Sequence, residues 1–231
     1  MSSPSFSFTR ALALAGGLAA ATSGCGAEAP TNPTWVQVQP ILAAECAHCH
    51  GSTAKDTGGA YRFDFFEMTP EVCGEAAQAL PSDTPLAKDL SDEIWKAITT
   101  TRDLPAQRPS MPPPPAPYLE EREWRTIQRW IEGGTPRGEA PLGNRAPKVE
   151  FSAVRGPTPH TLDVSVVVSD PDWDPTVGVL KIGDIALRME RGGSFSERLD
   201  TAKWPEGPIA VSAAVCDGWA SARFPLGTVT K

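Results

Sequence analysis

The hydrophobic period of this chain changes once, near residue 140, and that change bounds what it can fold into. Before it, apolar residues recur at helical spacing. Val38, Ile41 and Leu42 share one face of the segment from Trp35 to Glu45, and Leu119, Trp124, Ile127, Trp130 and Ile131 make a stripe along Tyr118–Gly134. After it, apolar and polar residues alternate, as in Thr161-Leu-Asp-Val-Ser-Val-Val-Val168. A helix and a strand present their side chains at different periods, so the two patterns call for different elements. The chain reads as a helical unit over residues 36–138 and an all-β unit over residues 148–231. Residues 139–147, Glu-Ala-Pro-Leu-Gly-Asn-Arg-Ala-Pro, are the linker.

Within the helical unit, Pro40 suits an early turn, so the first helix is expected to begin near it. Ser91 caps a second helix from about residue 92 to 101, with Asp92 and Glu93 in its first turn. Gly133-Gly134 ends the third. Residues 51–59 are a loop. In the β unit, strands are expected at 149–154, 161–168, 177–182, 185–189, 209–216 and 222–226, with Gly183-Asp184 as a tight hairpin turn.

Residues 46–50 read Cys-Ala-His-Cys-His. Cys-x-x-Cys-His is the attachment signature of c-type haem. One helical turn puts Cys46 and Cys49 on the same side, where both sulfurs can bond the porphyrin. His50 follows as the proximal iron ligand. Two other chemistries use such cysteines. A thioredoxin-like dithiol wants a βαβ context, and neither flank reads that way. Structural zinc wants a second ligand pair. His160 is the only histidine outside the motif, and Cys73 and Cys216 form no close pair. His48 reads as a solvent-facing spacer. Met111 lies in Pro109-Ser-Met-Pro-Pro-Pro-Pro115, a loop stiffened by proline, and is the expected distal ligand. Met68, Met189 and His160 are the alternatives.

The N-terminus agrees with haem chemistry, which is completed after export. Residues 1–24 read as a signal peptide, with Arg10 before an apolar stretch too short to span a bilayer. Thr22-Ser-Gly-Cys25 resembles a bacterial lipobox, though Thr22 stands where leucine is usual. Cys25 is then the lipidated residue and 25–35 a tether; an ordinary cleavage site is the alternative. Export implies an oxidising compartment. Cys73 and Cys216, left after lipid and haem are assigned, are either a disulfide joining the two units or two single thiols. The pairing is the expectation.

Charge limits partners. The formal net charge is −7 and there is no basic patch, so nucleic acid is not an expected partner. Asp170-Pro-Asp172-Trp-Asp174 is an acidic turn that reads as a strand connection, with calcium as a weaker alternative. Trp173 and Trp219 read as sandwich core. With two of three histidines in the motif, a Ser-His-Asp hydrolase is not expected.

Four segments together carry a family likeness: Ile41-Leu-x-x-x-Cys46-x-x-Cys49-His50-Gly51, Arg62-Phe-Asp64, Met111-Pro-Pro, and a helix ending Trp130-Ile-Glu-Gly-Gly134. Over about residues 36–136 the chain resembles the monohaem cytochrome c domains of bacterial lipoproteins, planctomycete-type and myxobacterial ones among them. The resemblance implies an all-α cytochrome c-like haem domain. It also implies a terminal helix packed across the motif helix through Trp124, Ile127 and Trp130. Arg62 and Asp64 frame a haem edge or form a structural turn. The second unit resembles bacterial Ig-like modules at the level of fold, an Ig/fibronectin-like sandwich. The implied protein is lipid-anchored, at the outer membrane rather than the inner, and faces the periplasm or cell surface. It carries single electrons through a His/Met-ligated haem to redox partner proteins. The competing readings are a haem enzyme or gas sensor with a displaceable distal ligand, and an interaction protein docking through the Ig-like unit.

Overall fold

The computed structural model describes residues 28–51, 61–99 and 119–231. Helices are α1 Trp35–Glu45, α2 Ala47–His50, α3 Pro70–Cys73, α4 Ser91–Thr99 and α5 Glu121–Glu132, with a 3-10 segment at Gly74–Ala79. Strands are β1 Lys148–Arg155, β2 Thr161–Ser169, β3 Val177–Ile182, β4 Ile185–Met189, β5 Gly193–Asp200, β6 Pro208–Cys216 and β7 Ser221–Thr230. The signal segment, Cys25 and Met111 lie outside the described residues. No helix among the described residues is long and apolar enough to cross a membrane.

The strands form two antiparallel sheets, ordered β1-β2-β5 and β4-β3-β6-β7. Alternation explains the first. Leu162, Val164, Val166 and Val168 of β2 are buried, while their neighbours along the strand are partly or fully exposed. Their partners across the sandwich are Leu180 and Ile182 of β3 and Val211, Ala213 and Val215 of β6. β5 escapes sequence reading. Only Phe195 and Leu199 are apolar in it, four residues apart, which imitates helical spacing. It is an edge strand paired with β2 alone, and Arg198 meets Asp163 directly across that pairing at 2.6 Å.

The expected all-α cytochrome c-like domain is not what forms. Among the described residues strand outnumbers helix, the longest helix has 12 residues, and the architecture is mainly the two antiparallel sheets. The physical reason lies between α2 and α4. That stretch does not close a helical bundle on itself. Phe65, Cys73, Ala76, Ala79, Leu80 and Leu86 bury against Val177, Val179, Ala214 and Cys216, the outer face of the four-stranded sheet. β3 is therefore buried on both faces, as its burial pattern shows. Gly178 belongs to this crowding, since a Cβ there would lie 2.7 Å from the Ala214 carbonyl oxygen.

Above this seam the short helices have their own core. Trp35, Val38 and Leu42 of α1 pack with Phe66, Leu90, Ile94 and Ile98, and with Ile127 and Trp130 of α5. α1 begins at Trp35, five residues before Pro40, rather than near it. Pro40 forfeits the bond its N–H would make to the Val36 carbonyl. Burial of Val38 and Leu42 on either side outweighs that loss. α4 and α5 follow the helical spacing of the sequence, though α5 starts only at Glu121.

Polar bonds fasten helices to sandwich. Cys73 and Cys216 form a disulfide with a Cα–Cα distance of 5.2 Å. Arg137 donates to the Gly218 carbonyl at 2.8 Å and lies over the Trp219 ring. The Trp219 indole donates to Gln39 at 3.1 Å, and Lys181 pairs with Glu75 at 3.1 Å.

Candidate functional site

α1 runs out at Cys46, whose N–H still bonds the Leu42 carbonyl at 2.9 Å. Cys46 itself has φ −124°, so the helix breaks there and α2 restarts as a single turn. In that turn the Cys46 carbonyl accepts from both Cys49 N–H, at 3.1 Å, and His50 N–H, at 2.9 Å. The two thiols thus sit on one turn ahead of the imidazole. Both are free and partly exposed. Burial pushes the Cys46 thiol up to about 12, and the Glu45 carboxylate and Cys49 add to the shift.

Gly51 lets the chain leave the motif. A Cβ there would collide with the Ala47 carbonyl oxygen and lie 2.8 Å from the Ala47 Cβ. The chain then returns, and Phe63 N–H donates to the His50 carbonyl at 2.8 Å. The His50 ring meets Phe63 at 5.0 Å between centroids and Tyr61 at 6.1 Å. Tyr61 and Phe63 stack on each other, and Tyr61 is 41% exposed. Sequence reasoning missed this aromatic pair. The one signal was the alternation Tyr-Arg-Phe-Asp at 61–64.

Arg62 and Asp64 are buried and form a two-point ion pair, Nε to Oδ1 at 2.9 Å and Nη2 to Oδ2 at 3.0 Å. Arg62 also donates to the Glu190 carbonyl at 2.8 Å, just past β4. These two residues fasten the seam.

Of the alternative distal ligands, Met189 is fully buried in the sandwich core and Met68 packs at the seam. His160 occupies a positive-φ turn before β2. Among the described residues no group of three or more His, Cys, Asp and Glu side chains is placed to hold a metal ion. The acidic turn makes no such group either. The Asp172 carboxylate is held by Arg145, which keeps it below the usual carboxylate range. Asp170 Oδ1 accepts from the N–H groups of Asp172 and Asp174. Burial, then the charges of Asp170, Asp217 and Asp172, pushes the Asp174 carboxyl up to about 7. Trp173 is not core: it is 94% exposed with φ 66°. Trp219 is half-buried against the helical core.

No family model matches this chain, and no curated protein matches it. The likeness to monohaem cytochrome c domains of bacterial lipoproteins is accordingly corrected. It rests on four short segments, and the intervening residues build a seam with a β-sheet instead of an all-α unit. Among solved structures, the chain is similar to an endo-β-1,4-mannanase from Thermotoga petrophila, at 13% identity and TM-score 0.31, over 48% of this chain and 24% of the other. The chain therefore spans about a quarter of the mannanase's length. It is also similar to the PKD domain of an M14-like peptidase from Thermoplasmatales archaeon SCGC AB-540-F20, at 18% identity and TM-score 0.26, over 37% of this chain and 99% of the other.

Proposed function

We propose that the protein is an exported electron carrier bearing one covalently attached haem. Cys46 and Cys49 would be the attachment thiols and His50 would ligate the iron. One observation carries the reading, the sorting of the cysteines. Cys73 and Cys216 are paired and fully buried, while Cys46 and Cys49 stay free and partly accessible, one turn apart, directly before His50. This donor set fits the group: two thiols at the attachment spacing, neither in a disulfide, and an adjoining imidazole. When bound, the group supplies a one-electron iron couple.

The chain's own residues do the rest. The Cys46 carbonyl holds the motif turn through two N–H bonds, so both thiols and the imidazole stay in register. Cys46 is packed at the edge of the helical core, which shields that side from water. Met111 is the distal ligand and Cys25 the lipid-bearing residue in this reading; both enter on sequence alone. The partner in this reading is a redox protein.

The test is retention. Mature protein made alongside a cytochrome c maturation system should keep its haem through denaturation and acid–acetone extraction, and Cys46→Ala/Cys49→Ala should lose it. Complete loss of haem from the unmodified chain would sink the proposal. Met111→Ala should remove the far-red thioether-to-iron band; an unchanged spectrum would reassign the distal ligand.

A further inference from the structure

We infer that the β-sandwich sets the orientation of the motif imidazole, through a bracket made of Tyr61, Arg62, Phe63 and Asp64. The inference rests on His50 being the axial ligand proposed above. It concerns how His50 is held rather than what it binds.

Contacts in the bracket sort by parity. Tyr61 and Phe63 meet the His50 ring, and Phe63 N–H holds the His50 carbonyl at 2.8 Å. Arg62 and Asp64 meet each other, and Arg62 also meets the sandwich. The Arg62 guanidinium is planar, and each of its three nitrogens donates one bond here. Nε and Nη2 go to the two Asp64 oxygens, and Nη1 goes to the Glu190 carbonyl at 2.8 Å. The guanidinium also lies 5.2 Å from the Phe65 ring centroid, and Arg62 N–H bonds the Pro85 carbonyl at 3.1 Å. A side chain so bonded cannot rotate without leaving a buried charge unpaired.

Glu190 directly follows Met189, which is 1% exposed in the sandwich core. The route is therefore short: the sandwich core at Met189, the backbone carbonyl of exposed Glu190, buried Arg62, the 61–64 backbone, then the two rings against His50. α2 alone does not fix the ring, because it is a single turn. Tyr61, Arg62, Phe63 and Asp64 are positioning residues.

The experiment uses the full chain, with and without haem. Three variants are compared: Phe63→Leu removes the ring that packs on His50, Arg62→Lys removes the fork but keeps the charge, and Lys181→Met loosens the same seam through its pair with Glu75, away from the bracket. In haem-loaded protein, low-spin electron paramagnetic resonance reports the axial imidazole plane, and titration reports the midpoint potential. Phe63→Leu and Arg62→Lys should change the g-values and shift the reduction equilibrium about threefold, with covalent haem content unchanged. Lys181→Met should lower the melting temperature and move neither. In haem-free protein, Phe63→Leu should reduce the ring-current shift of the His50 ring protons, leaving the part due to Tyr61, and Arg62→Lys should alter it. Bracket variants that leave both the g-values and the ring shift at their original values overturn the inference. An unmodified chain that keeps no covalent haem overturns the functional reading, and the haem-free ring shift then separates that failure from failure of the bracket.

Discussion

The sandwich and the helical layer differ in how each completes itself. Every strand of the sandwich finds backbone partners in its own sheet, and the two inner faces supply each other's apolar cover. The helical layer has a core of its own around Trp130, but its underside is open. It is floored by Val177, Val179, Ala214 and Cys216 of the neighbouring sheet. Dependence therefore runs mainly one way. The sandwich can lose its cover and still pair its strands, whereas the helices lose the surface that orders residues 61–90.

The most disruptive break of this asymmetry is Val179→Asp. Val179 is 2% exposed in the seam, and a carboxylate there would be buried within an apolar cluster. The expected cost is about 4 kcal/mol, by burial of an unpaired charge. Denaturation should then show two transitions, the helical signal melting first and strand signal persisting. A single transition carrying both signals would mean that the two regions are equally dependent. Removing the disulfide with Cys73→Ala/Cys216→Ala is a milder break. It should cost about 2–4 kcal/mol, and hydrogen exchange should rise first in α3 and the 3-10 segment rather than in β2.

The smallest effect sharpens the comparison where the linker meets the sandwich. Asn144 donates to Asp217, and Arg145 clasps Asp172, beside Asp174. The Asp174 carboxyl is raised from its ordinary value of 3.8 to about 7 in the folded protein. Between those values the folded state holds the proton more tightly than the unfolded one. Asp174 therefore favours folding in acid, and that contribution falls as pH climbs from about 4 to about 7, then stays level. Asp174→Asn should raise the melting temperature by roughly 2–4 °C at pH 8 and by nothing at pH 4. An equal gain at both pH values would show that the carboxyl titrates normally.

Much of the sandwich was legible because half-buried strands alternate, and α4 and α5 because their stripes repeat at helical spacing. The seam was not read, yet it left a mark. Val177-Gly-Val-Leu-Lys-Ile182 is nearly continuous in apolar residues, which a strand covered on one face does not need. That run is the trace of a second layer. Trp173 misled because indole rings usually pack inside, whereas this one sits at the tip of a turn. At the site, the motif announced Cys46, Cys49 and His50 by spacing alone. Tyr61 and Phe63 left only the alternation at 61–64, which does not show that the backbone at Phe63 bonds to His50.

The disulfide has a consequence for how the molecule survives damage. Cys73 and Cys216 are 143 residues apart, and the linker at 139–147 lies between them. A protease that cuts the linker leaves two polypeptides but one covalent body. The sandwich stays bolted to the piece that carries Cys25 and the Cys46–His50 motif, and on a gel the cut shows only after reduction. Nicking in the linker thus separates neither the motif from residues 61–64 nor the sandwich from the N-terminal piece.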